Sequence, residues 1–246
     1  MKIKRLATLL LSIFTFIAFS FPVKFNAQCR QAAKEEKVIY LTFDDGPSEK
    51  ITDRVLDILN KNDVKATFFV IGNQIDGLEE ILKRIHNEGH SIGLHSYSHS
   101  FRRIYSSRSA FIKEMLLCQE KINEVVGIKP NILRFPGGSQ KHLTKEYVNA
   151  LHNNNFKIYD WNMETVDGLN PKTSPDSLFR QATRGSEEFS TIILLLHCDY
   201  MHKNTCIALP RIIQYYKDKG YEFRCITEDT PELFLFSPHY PSKNNQ

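Results

Sequence analysis

The chain has 246 residues, of which 41% are hydrophobic and 24% charged, and a formal net charge of +4. It is long enough for one domain with a sizeable core, and it contains no internal repeat and no low-complexity segment. Residues 1–27 include four basic side chains and no acidic one, which leaves 28 Lys+Arg against 28 Asp+Glu in the rest of the chain and removes the case for a nucleic-acid partner.

The first 27 residues have the layout of a secretory leader. Three basic residues among the first five precede the apolar run Leu6–Phe21, and Ala27 is a candidate cleavage point. However, Phe25 stands where a small residue would be expected, and the apolar run nearly reaches the length of a membrane span. We therefore expect residues 1–27 to be a signal peptide or a membrane anchor. In both cases the protein is exported, secreted or associated with the cell envelope, and contacts the membrane only through this segment.

After a short polar tether, residues 28–37, short β-branched or aromatic runs alternate with amphipathic stretches. The runs predict strands over Val38–Phe43, Ala66–Ile71, Ser91–Leu94, Ile132–Phe135, Lys157–Trp161, Thr191–Leu196 and Glu222–Ile226. The stretches predict helices over Ile51–Lys61, Leu78–Glu88, Ser106–Val126, Thr144–Asn153, Pro175–Ala182 and Pro210–Lys219. Proline suits the first position of a helix, so the last helix is expected to begin at Pro210. The alternation predicts a parallel α/β fold in a single domain, residues 38–237, followed by a polar tail, residues 238–246.

Polar residues stand where several of the predicted strands end. Asp44 and Asp45 follow the first strand, His95 follows the third, Arg134 lies near the end of the fourth, and His197 follows the sixth. In a parallel barrel the carboxyl ends of the strands open onto one face, where active sites lie. We therefore expect these five side chains to converge on one site.

The acidic pair and a histidine pair together indicate a cation site. The turn at Gly46-Pro47 allows both Asp44 and Asp45 to reach one site, although neighbours on a regular strand point to opposite faces. His95 and His99 are close enough to ligate one ion from a helix or a loop. One carboxylate and two imidazoles make a half-open site for a zinc-like cation and leave the second carboxylate to act on bound water. Taken alone, the acidic pair could equally be a turn or a helix cap, and the histidine spacing a surface coincidence.

Arg134 and His197 could complete an acid–base site. The guanidinium of Arg134 could hold Asp44 as an aimed, ionised base, or it could form an ordinary salt bridge at a turn. His197 could protonate a leaving amine, because the pKa of histidine lies near neutrality. Alternatively, it could be a residue at the rim of the barrel whose hydrogen bonds are satisfied by its neighbours.

Further candidates follow the fifth strand. Trp161 could form the floor of a sugar-binding site, or it could pack in the core. Glu164 or Asp167 could orient His197 or Arg134.

The five cysteines have no CxxC spacing, which argues against a structural zinc cluster. Export would permit a disulfide. The pairs to test are Cys198 with Cys206 and Cys206 with Cys225, against the alternative of buried free thiols.

With these residues in place, the chain resembles the polysaccharide deacetylases that share the NodB homology domain, carbohydrate esterase family 4. Five motifs occur in the order of that family: TFDDGP at Thr42–Pro47, HSxxH at His95–His99, RFPGG at Arg134–Gly138, the region from Trp161 to Asp167, and LLH at Leu195–His197. They span nearly the whole exported part, and the combination of the first three is highly specific.

The resemblance implies a deformed (β/α) barrel of about seven parallel strands and metal-dependent removal of N-acetyl groups from a β-1,4-linked amino sugar polymer. The implied metal ligands are Asp45, His95 and His99, the implied catalytic residues are Asp44, Arg134, Asp167 and His197, and the implied substrate-binding residues are Pro136, Gly137, Trp161 and Leu195. Asp44 would be the base that Arg134 fixes, and His197 would be the acid. The divalent metal is expected to be Zn²⁺, with Co²⁺, Ni²⁺ or Fe²⁺ open because the same ligands suit them.

The leader favours peptidoglycan as the polymer over a chitin-like glycan, and both N-acetylglucosamine and N-acetylmuramic acid units stay open. Three positions depart from the family pattern: Glu164 stands where aspartate is common, Gly168 where tryptophan is common, and Cys198 where an acidic residue is common. The change at Gly168 predicts a more open groove.

Three other functions compete with this interpretation. A non-catalytic glycan-binding module would have no need for a base, a metal site and an acid together. A glycosidase acting through Asp44 and another carboxylate would leave the histidine pair unexplained. A chitin- or xylan-type de-N/O-acetylase would use the same site on another polymer.

Overall fold

The computed structural model describes residues 36–236. The predicted signal peptide or anchor (residues 1–27), most of the tether (residues 28–37) and the polar tail (residues 238–246) therefore lie outside the described residues. Within residues 36–236, no helix combines the length and the hydropathy needed to cross a membrane.

The described residues form eight strands and seven α-helices. The strands are β1 (Val38–Gly46), β2 (Thr67–Val70), β3 (Ser91–Leu94), β4 (Ile132–Leu133), β5 (Lys157–Ile158), β6 (Met163–Glu164), β7 (Thr191–His197) and β8 (Glu222–Phe223). The helices are α1 (Ile51–Lys61), α2 (Glu79–Asn87), α3 (Phe101–Ile104), α4 (Arg108–Val126), α5 (Lys145–His152), α6 (Pro175–Thr183) and α7 (Lys203–Asp218). Short 3₁₀ turns at Gly72–Gln74 and Ser186–Glu188 complete the described elements.

The strands form one parallel sheet that curls into an open barrel. Their order is β5-β4-β3-β2-β1-β7-β6, and β8 pairs with the first two residues of β1. Among the described strands, β5 and β6 lie at the two ends of this order, so the barrel is open between them. The predicted deformed (β/α) barrel in a single domain is therefore confirmed.

Serine and threonine caps fix where three of the helices begin. Ser107 before α4, Thr144 before α5 and Ser174 before α6 each accept a hydrogen bond from a backbone N–H in the first turn of the helix. Each cap stabilises its helix by about 1 kcal/mol. The caps set the first helical residue one or two positions later than the sequence pattern predicts for α4 and α5.

The two faces of β1 bury different parts of the core, because successive strand residues face opposite sides of a sheet. The odd-numbered residues within Ile39–Phe43 belong to the large apolar cluster that includes the helices. The even-numbered residues up to Tyr40 belong to a smaller cluster of residues on the inner side of the sheet. Thr42 and Asp44 continue this inner row toward the carboxyl end of the barrel, where both are buried.

The prediction that the last helix begins at Pro210 is wrong. α7 begins at Lys203, and Pro210 lies inside it. The helix buries Cys206 and Leu209 before the proline and Ile213 after it. Proline removes one backbone donor and disfavours the helix interior, so the apolar face on both sides of Pro210 must outweigh that loss.

Smaller differences have equally local causes. The one-turn helix α3 and the two-residue strand β6 are too short to produce a periodic sequence pattern. Cys198, Cys206 and Cys225 are free thiols, so neither of the two disulfides is present and the alternative of free thiols holds.

Candidate active site

The two carboxylates of the acidic pair reach one cavity because the end of β1 is irregular. β1 extends to Gly46, so Asp44 and Asp45 lie within the strand, whereas the sequence predicted that they follow it. The register with β2 shifts between Asp44 and Gly46, and Asp45 has a left-handed backbone with a φ of 67°. Such an irregularity re-aims a side chain at the rim of a barrel. Both Asp44 and Asp45 therefore line the same cavity.

Asp45, His95 and His99 form a compact cluster at this end of the barrel. The Oδ1 atom of Asp45 lies 3.4 Å from Nε2 of His95 and 3.3 Å from Nε2 of His99. This oxygen is buried and has no hydrogen-bond partner. His95 and His99 lie on the loop after β3, so of the two predicted settings for the pair, a helix or a loop, the structure has the loop.

The surroundings of the two rings present the correct nitrogen to a cation. Nδ1 of His95 lies 3.1 Å from the backbone oxygen of Arg134, which can only accept. Nδ1 therefore donates, and in the neutral ring Nε2 carries a lone pair that faces Asp45. Burial and the neighbouring His95 lower the pKa of His99, which favours the neutral, metal-binding form of that ring.

This cluster fits a four-coordinate divalent cation with one open position. Ligand atoms about 2.1 Å from a tetrahedral centre lie about 3.4 Å apart, as the nitrogen and oxygen atoms of the cluster do. A buried carboxylate oxygen without a donor is unfavourable unless a cation satisfies it. A second group with nearby ligand atoms, Asp167, His197 and His202, is joined by hydrogen bonds instead.

Arg134 is fully buried and binds Asp44 directly. One of its terminal nitrogens donates to Oδ1 of Asp44 at 2.9 Å and to the Thr42 hydroxyl at 2.7 Å. Its other donors bind the backbone oxygens of Tyr159 and Asp160 at 2.9 and 3.0 Å. Complete burial rules out a surface salt bridge at a turn. The guanidinium holds one oxygen of Asp44, and the other oxygen stays directed toward the histidine pair, 3.7 Å from Nε2 of His95.

Asp167 holds the ring of His197 from the side opposite the cavity. Its Oδ1 lies 2.9 Å from Nδ1 of His197. The carboxylate also accepts from the backbone N–H groups of Gly168 and His197 and from the hydroxyl of Thr205. Burial would raise the pKa of Asp167, but these donors, His197 first, keep it below its usual value. Asp167, and not Glu164, is therefore the carboxylate that orients His197.

His197 is poised as a proton donor. Burial alone would lower its pKa, but the hydrogen bond and charge of Asp167, with the charges of Asp44 and Asp45, raise the pKa to about 9. The raised pKa favours the form of the ring that carries both protons. The side chain is 15% exposed and lines the cavity from the end of β7.

These groups open into a cavity of about 420 Å³. It is lined by Asp44, Asp45, His95, His99, Phe101, Gly137, Trp161, Glu164, Thr165, Val166, Gly168, Leu169, Leu195 and His197. Gly137, Trp161 and Leu195, three of the predicted substrate-binding residues, are thus brought together. Pro136 is buried behind this wall, and its carbonyl accepts from the Tyr105 hydroxyl at 2.6 Å.

Known proteins resemble this chain over most of its length. The profile described as polysaccharide deacetylase matches residues 31–156. The peptidoglycan-N-acetylglucosamine deacetylase of Bacillus cereus is 34% identical over 208 residues, which are 83% of this chain and 75% of that protein. The chain belongs to the polysaccharide deacetylase family. The family prediction and the prediction that the chain is a deacetylase enzyme are both confirmed.

Solved structures of other polysaccharide deacetylases share the fold. The polysaccharide deacetylase Bc1974 of Bacillus cereus superposes with a TM-score of 0.73 at 33% identity, over 81% of this chain and 97% of that one. The catalytic domain of a peptidoglycan N-acetylglucosamine deacetylase from Eubacterium rectale gives 0.72 at 32% identity, over 85% and 94%. Some relatives are longer: the chain spans 43% of the PgdA protein of Listeria monocytogenes, to which it is 32% identical.

The three positions at which this deacetylase departs from the family pattern each have a defined structural setting. A Cβ atom at Gly168 would lie 2.3 Å from Cε1 of His197, so the backbone approaches the ring more closely than any side chain allows. Cys198 is fully buried with its Sγ against Gly46, where it fills the space under the turn. Burial raises the pKa of the Cys198 thiol, so it is not a reactive thiolate. Glu164 accepts from the indole N–H of Trp161 at 2.8 Å and braces that ring at the cavity wall.

Buried polar residues that the sequence does not single out support the deacetylase site. Asp160 accepts from the backbone N–H of Ser139 at 3.1 Å and from its hydroxyl at 2.5 Å, which fastens the loop after β4. His202 lies between two acceptors, Oδ1 of Asp199 at 2.7 Å and the backbone oxygen of Asp167 at 3.2 Å. Asp160 lies within the predicted strand Lys157–Trp161, and an acidic residue in such a run is a usable signal. Nothing in the spacing of His202 distinguishes it from a surface histidine.

Proposed function

We propose that this deacetylase removes N-acetyl groups from N-acetylglucosamine units of cell-wall peptidoglycan with the help of a divalent cation. The observation that carries the proposal is the unpartnered, buried Oδ1 of Asp45, which faces the Nε2 atoms of His95 and His99. Asp44 and His197 line the same cavity beside that cluster. A cation site beside a base and an acid is an arrangement that catalyses amide hydrolysis.

Asp45, His95 and His99 would hold the cation. Zn²⁺ is the proposed metal because two imidazoles, one carboxylate and one open position are its usual catalytic ligand set, and Co²⁺, Ni²⁺ and Fe²⁺ suit the same atoms. When bound, the cation would polarise the acetamide carbonyl and lower the pKa of a water molecule.

Asp44 acts as the base. Arg134 binds its Oδ1, so Oδ2 is free to take a proton from water in the cavity. The arginine also keeps the carboxylate oriented, because its remaining donors are fixed to backbone oxygens of residues 159 and 160. Base and water are then held in one geometry before the substrate enters, which lowers the barrier by positioning.

His197 acts as the acid. Its Nδ1 is held by Asp167, so the ring presents Nε2–H to the cavity and can protonate the departing amine. Asp167 stays ionised and balances the imidazolium charge. The ring and Asp44 thus have opposite roles at the same reacting carbonyl, one donating and one accepting a proton.

The relatives of the chain support N-acetylglucosamine as the sugar. Peptidoglycan-N-acetylglucosamine deacetylases are among the relatives, whereas PdaC of Bacillus subtilis, a peptidoglycan-N-acetylmuramic acid deacetylase, is 31% identical over 193 residues, 38% of its own length.

The test is to incubate the purified protein with acetylated peptidoglycan and with chitin oligomers, with and without added zinc. Acetate release that stops with a chelator and returns with zinc supports the proposal. Digestion to disaccharides and mass spectrometry then locate the free amine, and amines confined to muramic acid units would contradict the choice of sugar. Shorter chains without acetate would instead indicate a glycosidase, and glycan binding without any product would indicate a binding module. An acetylated xylan serves as the third substrate arm, for de-O-acetylation.

We also propose that the protein is exported by its first 27 residues. The support is the basic start and the apolar run Leu6–Phe21. N-terminal sequencing of the protein recovered from the culture medium and from the membrane fraction separates the two forms: a chain starting near Gln28 indicates a cleaved leader, and an intact Met1 in membranes indicates an anchor. Recovery only from the cytoplasm would contradict export.

A further inference from the structure

The loop that carries the two proposed histidine ligands has a strained backbone. It connects β3 to α3, and two of its residues, Ser96 and His99, have left-handed φ angles of 71° and 50°. Residues other than glycine adopt this conformation only when surrounding contacts hold them in it. One such contact lies within the loop, where the Ser96 hydroxyl accepts from the backbone N–H of His99 at 3.0 Å.

The second contact comes from Glu114 on the neighbouring helix α4. Its Oε2 accepts both from the backbone N–H and from the hydroxyl of Ser98, each at 2.8 Å. The same hydroxyl accepts from the backbone N–H of Ser100 at 3.3 Å. Glu114 therefore binds the residue immediately before His99 through two hydrogen bonds from one oxygen.

The environment of Glu114 indicates that the role of its carboxylate is to bind the loop. Its side chain is only 4% exposed and shares the buried face of α4 with Phe111, Met115 and Cys118. The cation nearest to it in an ion pair, Arg103, is 67% exposed and 3.9 Å away, so it contributes little. An apolar residue would pack on this face without the unfavourable desolvation of a carboxylate. The two bonds to Ser98 are the interaction that only an acceptor at this position can make.

We propose that Glu114 is a positioning residue that preorganises His99 for the cation. This inference rests on the proposed function, because it takes His99 as a metal ligand. Without Glu114 the loop must be ordered when the cation binds, so the affinity for the cation falls. Once the cation is bound, His99 returns to its place and Asp44 and His197 are unaffected, so the chemistry at saturating metal is unchanged.

The test measures the Kd for zinc alone by competition with a chromophoric chelator, together with kcat at saturating zinc. In Glu114→Ala we expect the Kd to rise about 10–100-fold, as when other supports of metal ligands are removed, with kcat within about threefold of the wild type. Glu114→Gln should restore most of the affinity, because its amide oxygen can accept both hydrogen bonds from Ser98. The matched control is Glu120→Ala, which truncates an exposed glutamate of the same helix that pairs with Lys129 and should leave the Kd unchanged.

A zinc Kd in folded Glu114→Ala equal to that of the wild type would overturn the inference, as would a Glu114→Gln variant that binds zinc as weakly as Glu114→Ala. If Glu114→Ala does not fold, Ser98→Ala removes one of the two hydrogen bonds, and an unchanged Kd there is equally contradictory. Failure of the proposed function is distinguishable, since in that case the wild type itself would bind no zinc at this site or release no acetate.

Discussion

Asp44 and His197 occupy paired positions on neighbouring parallel strands, since the register of β1 and β7 places their Cα atoms opposite each other. The backbone N–H of Cys198 donates to the carbonyl oxygen of Asp44 at 3.0 Å and continues the ladder one residue past the pair. The proposed base and the proposed acid are thus fixed to the rigid part of the barrel, where the distance between them does not depend on a loop. The proposed cation ligands His95 and His99, in contrast, depend on a loop for their position.

Asp44→Asn should lower kcat by roughly 10²–10⁴-fold, because asparagine keeps the shape and can still accept from Arg134 but cannot take a proton. The zinc Kd should stay close to that of the wild type, since Asp45 and the histidines remain. Acetate release and zinc competition measure the two quantities. Asp218→Asn, an exposed aspartate at the end of α7, is the control for the same chemical change. Retention of more than a tenth of the activity in Asp44→Asn would exclude Asp44 as the base.

The raised pKa of His197 predicts an alkaline limb in the pH profile of kcat/KM. The acid works only while protonated, so activity is present below the pKa and falls as the pH rises through about 9, or through a lower value where a bound cation offsets the charges of Asp44 and Asp45. Asp167→Asn removes the carboxylate that raises this pKa, and the limb should move to lower pH by about one to three units.

Asp176→Asn, on the exposed side of α6 and paired with Arg211, is the control for that shift. A limb that stays in place in Asp167→Asn would show that another group controls it.

The sequence was sufficient for the fold and for the convergence of the site, because both follow from patterns that operate over a few residues. Strand and helix periods predict a parallel α/β fold, the family resemblance implies the deformed barrel, and the strand ends then place Asp44, His95, Arg134 and His197 on one face. The exact path of the chain at Asp45 could not be predicted. The sequence indicated a turn after the first strand, whereas the structure has an irregular register within that strand. The prediction of a helix start at Pro210 failed because apolar packing on both sides of the proline outweighs its local preference for the first position of a helix.

Two further supports of the site could not be read from the sequence because their partners are distant in the chain. Asp167 binds Thr205, 38 residues away, and Glu114 binds Ser98, 16 residues away. Neither pair has a spacing that distinguishes it from unrelated polar residues. Such contacts depend on how helices pack against strand ends, which tertiary structure alone determines. The hydrogen bond between Ala66 and the buried His90, outside the site, is a further contact that the sequence does not reveal.

Folding stability should fall in mild acid because of His90. Burial, and then the charges of Lys65 and Arg84, lower the pKa of His90 from 6.5 to about 4. The unfolded chain therefore binds a proton that the folded chain rejects, so the stability contribution is complete above about pH 6.5 and is lost as the pH falls toward 4. Between about pH 7.5 and about pH 5 this group alone should lower the free energy of unfolding by roughly 2 kcal/mol.

Urea unfolding at the two pH values measures that difference. His90→Asn is the comparison, since asparagine can still accept from the backbone N–H of Ala66, as Nδ1 of His90 does at 3.1 Å, but does not titrate. The variant should lose about 2 kcal/mol less between the two pH values than the wild type does. An equal loss in both proteins would assign the acid sensitivity to other groups.

Gly168→Ala should reduce kcat while changing stability little, which makes it a direct test of the space around the acid. The new methyl group would lie 2.3 Å from Cε1 and 2.6 Å from Nε2 of His197, so the ring must turn away from the cavity. A displacement of about 1 Å can reduce the rate about 10²-fold. Gly185→Ala is the contrasting control: its φ is 75° and open space surrounds it, so strain should lower stability by about 1 kcal/mol without affecting kcat. Steady-state kinetics and thermal unfolding of both variants separate the two effects. Full activity in Gly168→Ala would mean that the ring of His197 can move without loss of activity. It would contradict the proposal that Asp167 must hold the proton donor in one position.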